Sequence, residues 1–339
     1  MDSSSTTKSS MGLNQDSPFD LIIIGGGING ASIARDATLR GLHVCLIEKN
    51  TFGSGTSSRS TKLAHGGLRY LEHFEFSLVH ESLRERHLLL QNAPNYVKPL
   101  KFVYPIYKNG ARSFLKVRCG MWLYSLLAKT STLPKYRTLN KPELLKQCPL
   151  LKNEHLIGGI EYFDAQMKDY ELVLANVSDA KEHGLVSYEN TTVINLIKSN
   201  DKCAGVIIKS NETNQKIYGS IVLNATGPWC NELSKLDEPS AKPLVAPTKG
   251  SHIIIPSLGL THALTLEVPM DKRMFFMIPW EDNTLIGTTD TPYNGDPNTL
   301  IVTKDEKNYL LNAINYYLTD KTITMNDIID SFAGLRPLQ

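Results

Sequence analysis

Cysteine is scarce and scattered. The five thiols, Cys45, Cys119, Cys148, Cys203 and Cys230, form no Cys-x-x-Cys pair and no metal-ligand spacing. This excludes a disulfide framework and a cysteine metal centre, and fits a reducing compartment in which the thiols are packing residues. Charge of one sign is equally lacking: 36 Lys and Arg against 34 Asp and Glu leave a net charge of +2. With no basic tract interleaved with aromatics, nothing argues for nucleic acid. No stretch reaches about 18 uncharged apolar residues, so no membrane-spanning helix is expected. Nor is there an internal repeat. Residues 1–17 are rich in Ser and Thr, with Lys8 as the sole basic residue, and lack an apolar core. That matches neither a secretory signal nor a mitochondrial presequence, and reads as a disordered tail on a cytosolic-side protein.

At 339 residues, 41% hydrophobic and 21% charged, the chain is globular and long enough for two domains. The most informative run is Asp20-Leu21-Ile22-Ile23-Ile24-Gly25-Gly26-Gly27-Ile28-Asn29-Gly30. Leu21 to Ile24 have the continuous apolar character of a parallel strand covered on both faces. Gly25, Gly27 and Gly30 then occupy a G-x-G-x-x-G pattern. The first allows a tight turn, the second lets a phosphate approach the backbone, and the third lets helix and strand pack closely. Ile28 and Asn29 open the helix, whose first N–H groups favour an anion. A second strand over residues 43–47 ends in Glu48, about 20 residues past the glycines, where a carboxylate accepts from a ribose 2′-OH and disfavours NADP.

Further along, residues 72–92 read as a long helix with a polar face, closed by Pro94 and Pro99, and residues 101–107 alternate like a strand. Residues 114–129 form an unusually apolar helix with Met121, Trp122, Leu123, Tyr124, Leu126 and Leu127, flanked by Arg112, Lys116, Arg118 and Lys129. A buried core helix and an interfacial helix meeting anionic headgroups are both open readings. A strand over 158–164, a helix over 170–183 and a hairpin or meander over 193–197 and 204–208 follow. The buried strand 221–229 returns to the nucleotide sheet. Strands at 251–255, 274–278 and 284–287 suggest an antiparallel sheet in a second domain.

A nicotinamide enzyme and a flavin enzyme can share the first turn, so the later elements decide between them. The run Gly53-Ser54-Gly55-Thr56-Ser57-Ser58-Arg59-Ser60-Thr61-Lys62 follows Glu48, where small hydroxyl residues would lie over a pyrophosphate and ribityl chain. The distant Ala225-Thr226-Gly227-Pro228-Trp229 element has no evident use in an NAD domain, which favours flavin.

These residues carry a wider resemblance. G-G-G-I-N-G from Gly25, T-S-S-R-S-T-K-L-A-H-G-G-L-R-Y-L-E from Thr56, N-A-T-G-P-W from Asn224, K-G-S-H-I from Lys249, I-P-W from Ile278, G-T-T-D from Gly287 and G-L-R-P-L from Gly334 resemble the FAD-dependent glycerol-3-phosphate dehydrogenase family. The resemblance implies an α/β, Rossmann-like FAD domain of the glutathione-reductase type joined to an antiparallel substrate domain of the D-amino-acid-oxidase kind. On that pattern the FAD domain takes residues 18–95 and 156–235, a substrate or membrane-contact region 96–155, the substrate domain 236–325, and the start of a final FAD segment 326–339.

The implied reaction oxidises sn-glycerol 3-phosphate to dihydroxyacetone phosphate and passes electrons to quinone. Non-covalent FAD is expected at Gly25, Gly27, Ile28, Asn29, Gly30, Glu48, Thr56, Ser57, Ser58, Lys62, Leu63, His65, Gly66, Gly67, Ala225, Thr226, Gly227 and Trp229. No metal is expected. Arg69 and Arg336 are expected to clamp the phosphate, since a guanidinium fork bonds two oxygens at once. Tyr70 orients a substrate oxygen or packs. His252 contacts substrate and is a candidate base, or a structural hydrogen-bonder; His65 is a FAD-loop or packing residue, and Lys62 bonds flavin or phosphate.

The resemblance also implies peripheral membrane association, on the cytoplasmic face of a bacterial plasma membrane or at the mitochondrial inner membrane, and leaves a homodimer open. Other readings are a glycerol-3-phosphate oxidase using oxygen and a non-catalytic FAD-fold fragment, while two motif arginines disfavour an amine oxidase. The family continues past G-L-R-P-L into a G-G-K-L-T-T-Y-R-like segment and a helical cap, so a chain ending at Gln339 reads as a fragment or a truncated gene product, with weak FAD retention and little turnover.

Overall fold

The structure is a computed structural model that describes residues 18–128, 132–211 and 213–338. The expected tail over residues 1–17 and the helix-flanking Lys129 lie outside the described residues. The chain divides into two compact units. One gathers residues up to 52, 175–226 and 232–241; the other gathers 53–174, 227–231 and everything from 242 onward.

In the first unit, the apolar run before the glycines forms the strand Phe19–Ile24, paired in parallel with Val44–Ile47 and with Thr213–Asn224. Ile22, Ile23, Leu46 and Ile47 are fully buried, as strands covered on both faces require. Leu21 lies opposite Val44 on one side and Ile221 on the other. The expected return of the second glycine-ended strand to the nucleotide sheet is therefore observed. The expected hairpin is present as Thr192–Ser199 against Lys202–Ser210. Asn200 and Asp201 both take positive φ, 49° and 60°, as a two-residue hairpin turn demands and as Asn and Asp tolerate.

The second unit is built on a ten-stranded sheet. Ala246–Pro256, Asn283–Gly287 and Met274–Trp280 run antiparallel, as expected. A short strand not read from the sequence, Ala263–Glu267, joins them and pairs in parallel with Val97–Tyr107, which makes the sheet mixed. Three strands place segments differently from the expected boundaries. Leu63–Ala64, Leu156–Met167 and Asp330–Leu338 all pair within this second sheet, so residues 53–95, 156–174 and 326–338 belong to the second unit rather than to the first, where the expected boundaries put them.

The helix expected over 72–92 begins later, at Phe76–Asn92, behind a 3-10 turn over Leu68–His73. Left-handed residues bound that turn, Gly67 at φ 72° and Phe74 at φ 60°. The apolar helix Phe114–Leu127 starts at Ser113, whose side chain accepts from Lys116 N. It buries Val117, Met121 and Tyr124 along one stripe and exposes Leu115, Trp122 and Leu126 on the other. Neither sequence reading alone describes it, because the helix is core on one face and bare on the other.

Under these helices lies a buried ion pair. Arg86 donates to Asp164 Oδ1, Tyr124 OH donates to the same carboxylate at 2.9 and 3.0 Å, and Gly66 N donates to Tyr124 OH at 2.8 Å. Both charged side chains are almost wholly buried. Removing one partner of such a pair strands the other in a medium that cannot solvate it. Asp164→Ala is expected to lower the unfolding free energy by about 3–5 kcal/mol, and Tyr124→Phe by about 1–2 kcal/mol, measured by urea denaturation. An Asp164→Ala midpoint equal to that of the wild type would remove the pair from the stability of this unit.

Candidate active site

The glycine turn has the shape a pyrophosphate needs. Gly25 has φ 109°, and a Cβ there would stand 2.5 Å from the Ala225 carbonyl oxygen. At Gly30 a Cβ would collide with the Gly25 carbonyl. The helix Ile28–Leu39 begins at Gly27, which has no side chain to cap it, so bare backbone faces whatever approaches. Glu48 stands against this turn: its Oε2 accepts from Gly26 N at 2.7 Å and its Oε1 from Asn50 N at 2.9 Å. Each oxygen keeps a second lone pair, so the carboxylate both braces the turn and can accept from ribose hydroxyls. Asn29 lies in the first turn of the same helix. Ala225 N donates to Ile24 O at 2.8 Å, and Thr226 Oγ1 donates to Asn224 Oδ1 at 2.7 Å. The sequence-selected residues of the first unit are thus gathered at one turn, and they fit a dinucleotide.

In the second unit, Thr56, Ser57 and Ser58 form a 3-10 turn. Thr56 Oγ1 donates to Leu335 O at 2.8 Å, which ties the turn to the strand carrying Arg336. Trp229, in the short helix Gly227–Trp229, packs beside Gly55 and donates to Asn298 at 3.0 Å. Lys62 is buried, with Nζ donating to Ser58 O at 2.5 Å and to Asp169 Oδ1 at 2.7 Å. Its charge is already matched by a carboxylate, so it is a less available phosphate ligand than the sequence suggested.

A cavity of about 330 Å³ opens in the same unit. Leu63, Phe102, Tyr162 and Phe276 form its apolar wall, and Thr61, His65, Arg69, Tyr70, Arg273, Asp290 and Arg336 supply its polar groups. Gly66 and Gly67 shape the approach. Gly66 lies where a Cβ would meet Leu83 and the Tyr124 hydroxyl, and left-handed Gly67 starts the turn bearing Arg69 and Tyr70. Arg336 Nη1 lies 3.2 Å from Asp290 Oδ1, and Arg69 Nη1 lies 3.6 Å from Asp290 Oδ2. The two arginines singled out in separate motifs therefore meet at one carboxylate. Burial pulls the Arg336 guanidinium below its ordinary pKa, the Asp290 charge opposes this, and the Arg69 charge adds to it. Arg273, which stands in no recognisable motif, donates to the Asp290 carbonyl at 2.5 Å.

His252 is placed otherwise than expected. It is buried, stacks on Phe332 with ring centroids 4.8 Å apart, and does not line the cavity. Its Nε2 lies 3.0 Å from Thr61 Oγ1, and Thr61 is on the cavity wall. Burial, with the Arg336 and Lys62 charges behind it, drives its pKa down to about 3. The contact between His252 and Thr61 joins residues far apart in the chain and is not legible from either segment alone. His65, by contrast, is on the wall, with Nδ1 accepting from Gly67 N at 3.0 Å. Among the described residues no cluster of His, Cys, Asp or Glu has the arrangement of a metal site.

Taken by class, a parallel nucleotide sheet with a bare glycine turn and an acidic strand end is that of a dinucleotide-binding α/β protein. The chain belongs to the FAD dependent oxidoreductase family, whose model matches residues 20–339. A glycerol-3-phosphate dehydrogenase from Synechocystis sp. is 40% identical, over 96% of this chain and 61% of that protein. An alpha-glycerophosphate oxidase from Streptococcus pyogenes is 38% identical, over 96% of this chain and 55% of that protein. Among solved structures, the glycerol-3-phosphate dehydrogenase from Bacillus halodurans complexed with FAD superposes with a TM-score of 0.80 at 34% identity, covering 96% of this chain and 58% of that one. The chain thus spans between half and two thirds of the length of these relatives.

The state of His252 is open to direct measurement. With its folded pKa at about 3 and an unfolded value of about 6.5, the unfolded chain binds the extra proton between those limits. The stability due to the neutral ring is complete above the unfolded value and is lost as pH falls below it. Between about pH 4 and about pH 6, the wild type should lose about 1 kcal/mol more per pH unit than His252→Gln in urea titrations. Equal slopes would mean that the ring is not held neutral.

Proposed function

We propose that this chain binds FAD without a covalent link and carries the oxidation of sn-glycerol 3-phosphate to dihydroxyacetone phosphate, with quinone as the electron acceptor. The single observation that carries the reading is the convergence of Arg69 and Arg336 on one cavity beside Tyr70 and Thr61. A phosphate dianion suits two planar guanidinium forks, which can bond its oxygens in pairs. Membership of an FAD dependent oxidoreductase family and relatives named for this substrate point the same way.

When bound, FAD supplies a hydride acceptor for the substrate carbon. The protein's own part is positional and acid–base. Arg69 and Arg336 fix the phosphate end, Tyr70 bonds a substrate oxygen, and the apolar wall of Phe102, Tyr162 and Phe276 limits water. The hydroxyl that must lose its proton meets Thr61 Oγ1, with neutral His252 Nε2 behind it at 3.0 Å. His252 acts through Thr61 and accepts the proton only as the reaction proceeds, since on its own it stays neutral at working pH. The dianion's charge opposes Arg336 and so makes the ring more basic while substrate is present.

Dehydrogenase and oxidase readings differ in the acceptor, and relatives carry both names; peroxide release in place of quinone reduction would select the oxidase. Peripheral membrane binding is part of the reading. Trp122 is 60% and Leu115 67% exposed on the Phe114–Leu127 helix. Basic support there is thinner than the sequence implied, because Arg112 is committed to Glu72 and Glu267, and Lys116 to Glu72. Among the described residues no helix is long and apolar enough to cross a membrane.

Three measurements test this. Precipitation of the protein should release all of its yellow colour, whereas flavin retained in the pellet would exclude a non-covalent link. Arg336→Ala should lower kcat/KM for glycerol 3-phosphate by the equivalent of about 1.5–3 kcal/mol, with Arg336→Lys recovering little; unchanged kinetics would take Arg336 out of the site. Trp122→Glu should weaken capture by anionic vesicles more than raised salt does, since insertion outweighs the few free charges. Capture equal to that of the wild type would make the bare face irrelevant to lipid.

A further inference from the structure

The same cavity contains a negative charge where an anion is meant to bind. Asp290 is half-buried and receives Arg336 and Arg69 on its two carboxylate oxygens. Its backbone is fixed separately: its carbonyl accepts from Arg273 Nη1 at 2.5 Å. Arg336 is steered from the other side, with Nη2 at 3.3 Å from Thr288 Oγ1 and 3.5 Å from the Thr289 carbonyl. The side chain of Asp290 thus rests on two cations that would otherwise repel each other, while its main chain is held by a third.

We propose that Asp290 is an internal counter-anion that occupies the arginine subsite until a dianion displaces it, and that it thereby sets the subsite's selectivity by charge. The proposal rests on the reading of Arg69 and Arg336 as the phosphate clamp. A carboxylate offers one charge and two acceptor oxygens. An incoming monoanion such as acetate offers the same, so exchanging one for the other gains nothing, and a neutral polyol offers less. A phosphate dianion offers two charges and three oxygens to the same two forks, which is enough to part them from Asp290. The arginines alone would attract any anion; with Asp290 between them they respond to the doubly charged one. Asp290 also keeps the two guanidiniums at a common point before substrate arrives, which lowers the ordering cost of binding.

The test uses the full chain and inorganic phosphate as the probe, followed by calorimetry and by the shift in thermal unfolding above neutral pH, with acetate as the monoanion. Neither readout depends on turnover. Asp290→Asn keeps an oxygen for Arg336 and removes the charge. It should bind phosphate about fivefold more tightly than the wild type, the scale of one partly exposed charge pair, and should bind acetate measurably where the wild type does not. Asp290→Ser provides the same comparison if the amide variant is insoluble. Phosphate affinity that is unchanged or weaker in a folded variant, or continued exclusion of acetate, overturns the role of Asp290 while leaving the clamp intact. Absence of phosphate binding in every form removes the clamp, and this proposal with it.

Discussion

A carboxylate taken out of water must be met by donors on every side, and Asp164 meets this condition with groups from three separate stretches of chain. Arg86 comes from the helix Phe76–Asn92, Tyr124 from the helix Phe114–Leu127, and Gly66 N from the loop that leads to Arg69. The strand Leu156–Met167 carries Asp164 itself. Because none of these groups can release its partner without exposing a buried charge, the two helices, the sheet and the loop are registered to one another. The positions of Arg69 and Tyr70 follow from that registration. The exposed face of the second helix follows as well, since turning Tyr124 inward turns Trp122 out.

Several cations of the second unit, which holds the cavity, are already matched by carboxylates. Lys62 is answered by Asp169, Arg112 by Glu72 and Glu267, and Lys249 by Glu306. The arginines at the mouth, Arg69 and Arg336, share a single carboxylate, that of Asp290. A shared, partly exposed partner is easier to displace than a buried one, which makes this the place where an external anion can compete. The neutrality of His252 is a consequence of burial and, after it, of the Arg336 and Lys62 charges.

The nucleotide half was almost wholly legible in the sequence. Glycine spacing, a continuous apolar strand and a terminal acid are local requirements of one turn, so they are written in consecutive residues. The half that holds the cavity was legible only in part. Arg69 and Arg336 stand in recognisable motifs, but their meeting at Asp290 depends on bringing the Leu68–His73 turn together with the strand Asp330–Leu338, residues separated by most of the chain. Arg273 carried no signal, and Thr61 was marked only as one of a hydroxyl-rich run, because their roles come from what stands opposite them. The strand Ala263–Glu267 was missed for a related reason: five residues buried on both faces show no alternation, and its pairing with Val97–Tyr107 is long-range.

What the sequence determined by itself is the chemistry of contacts between near neighbours: which turn can take a pyrophosphate, which strand ends in an acceptor, and which residues can fork a phosphate. What only the tertiary structure decided is which charges are already used. Lys62 and Arg112 look as available as Arg336 when read along the chain, and His252 looks as accessible as His65. Burial and pairing separate them, because the energy of a charge depends on the solvent and partners that reach it, and those are set by residues far away in the chain.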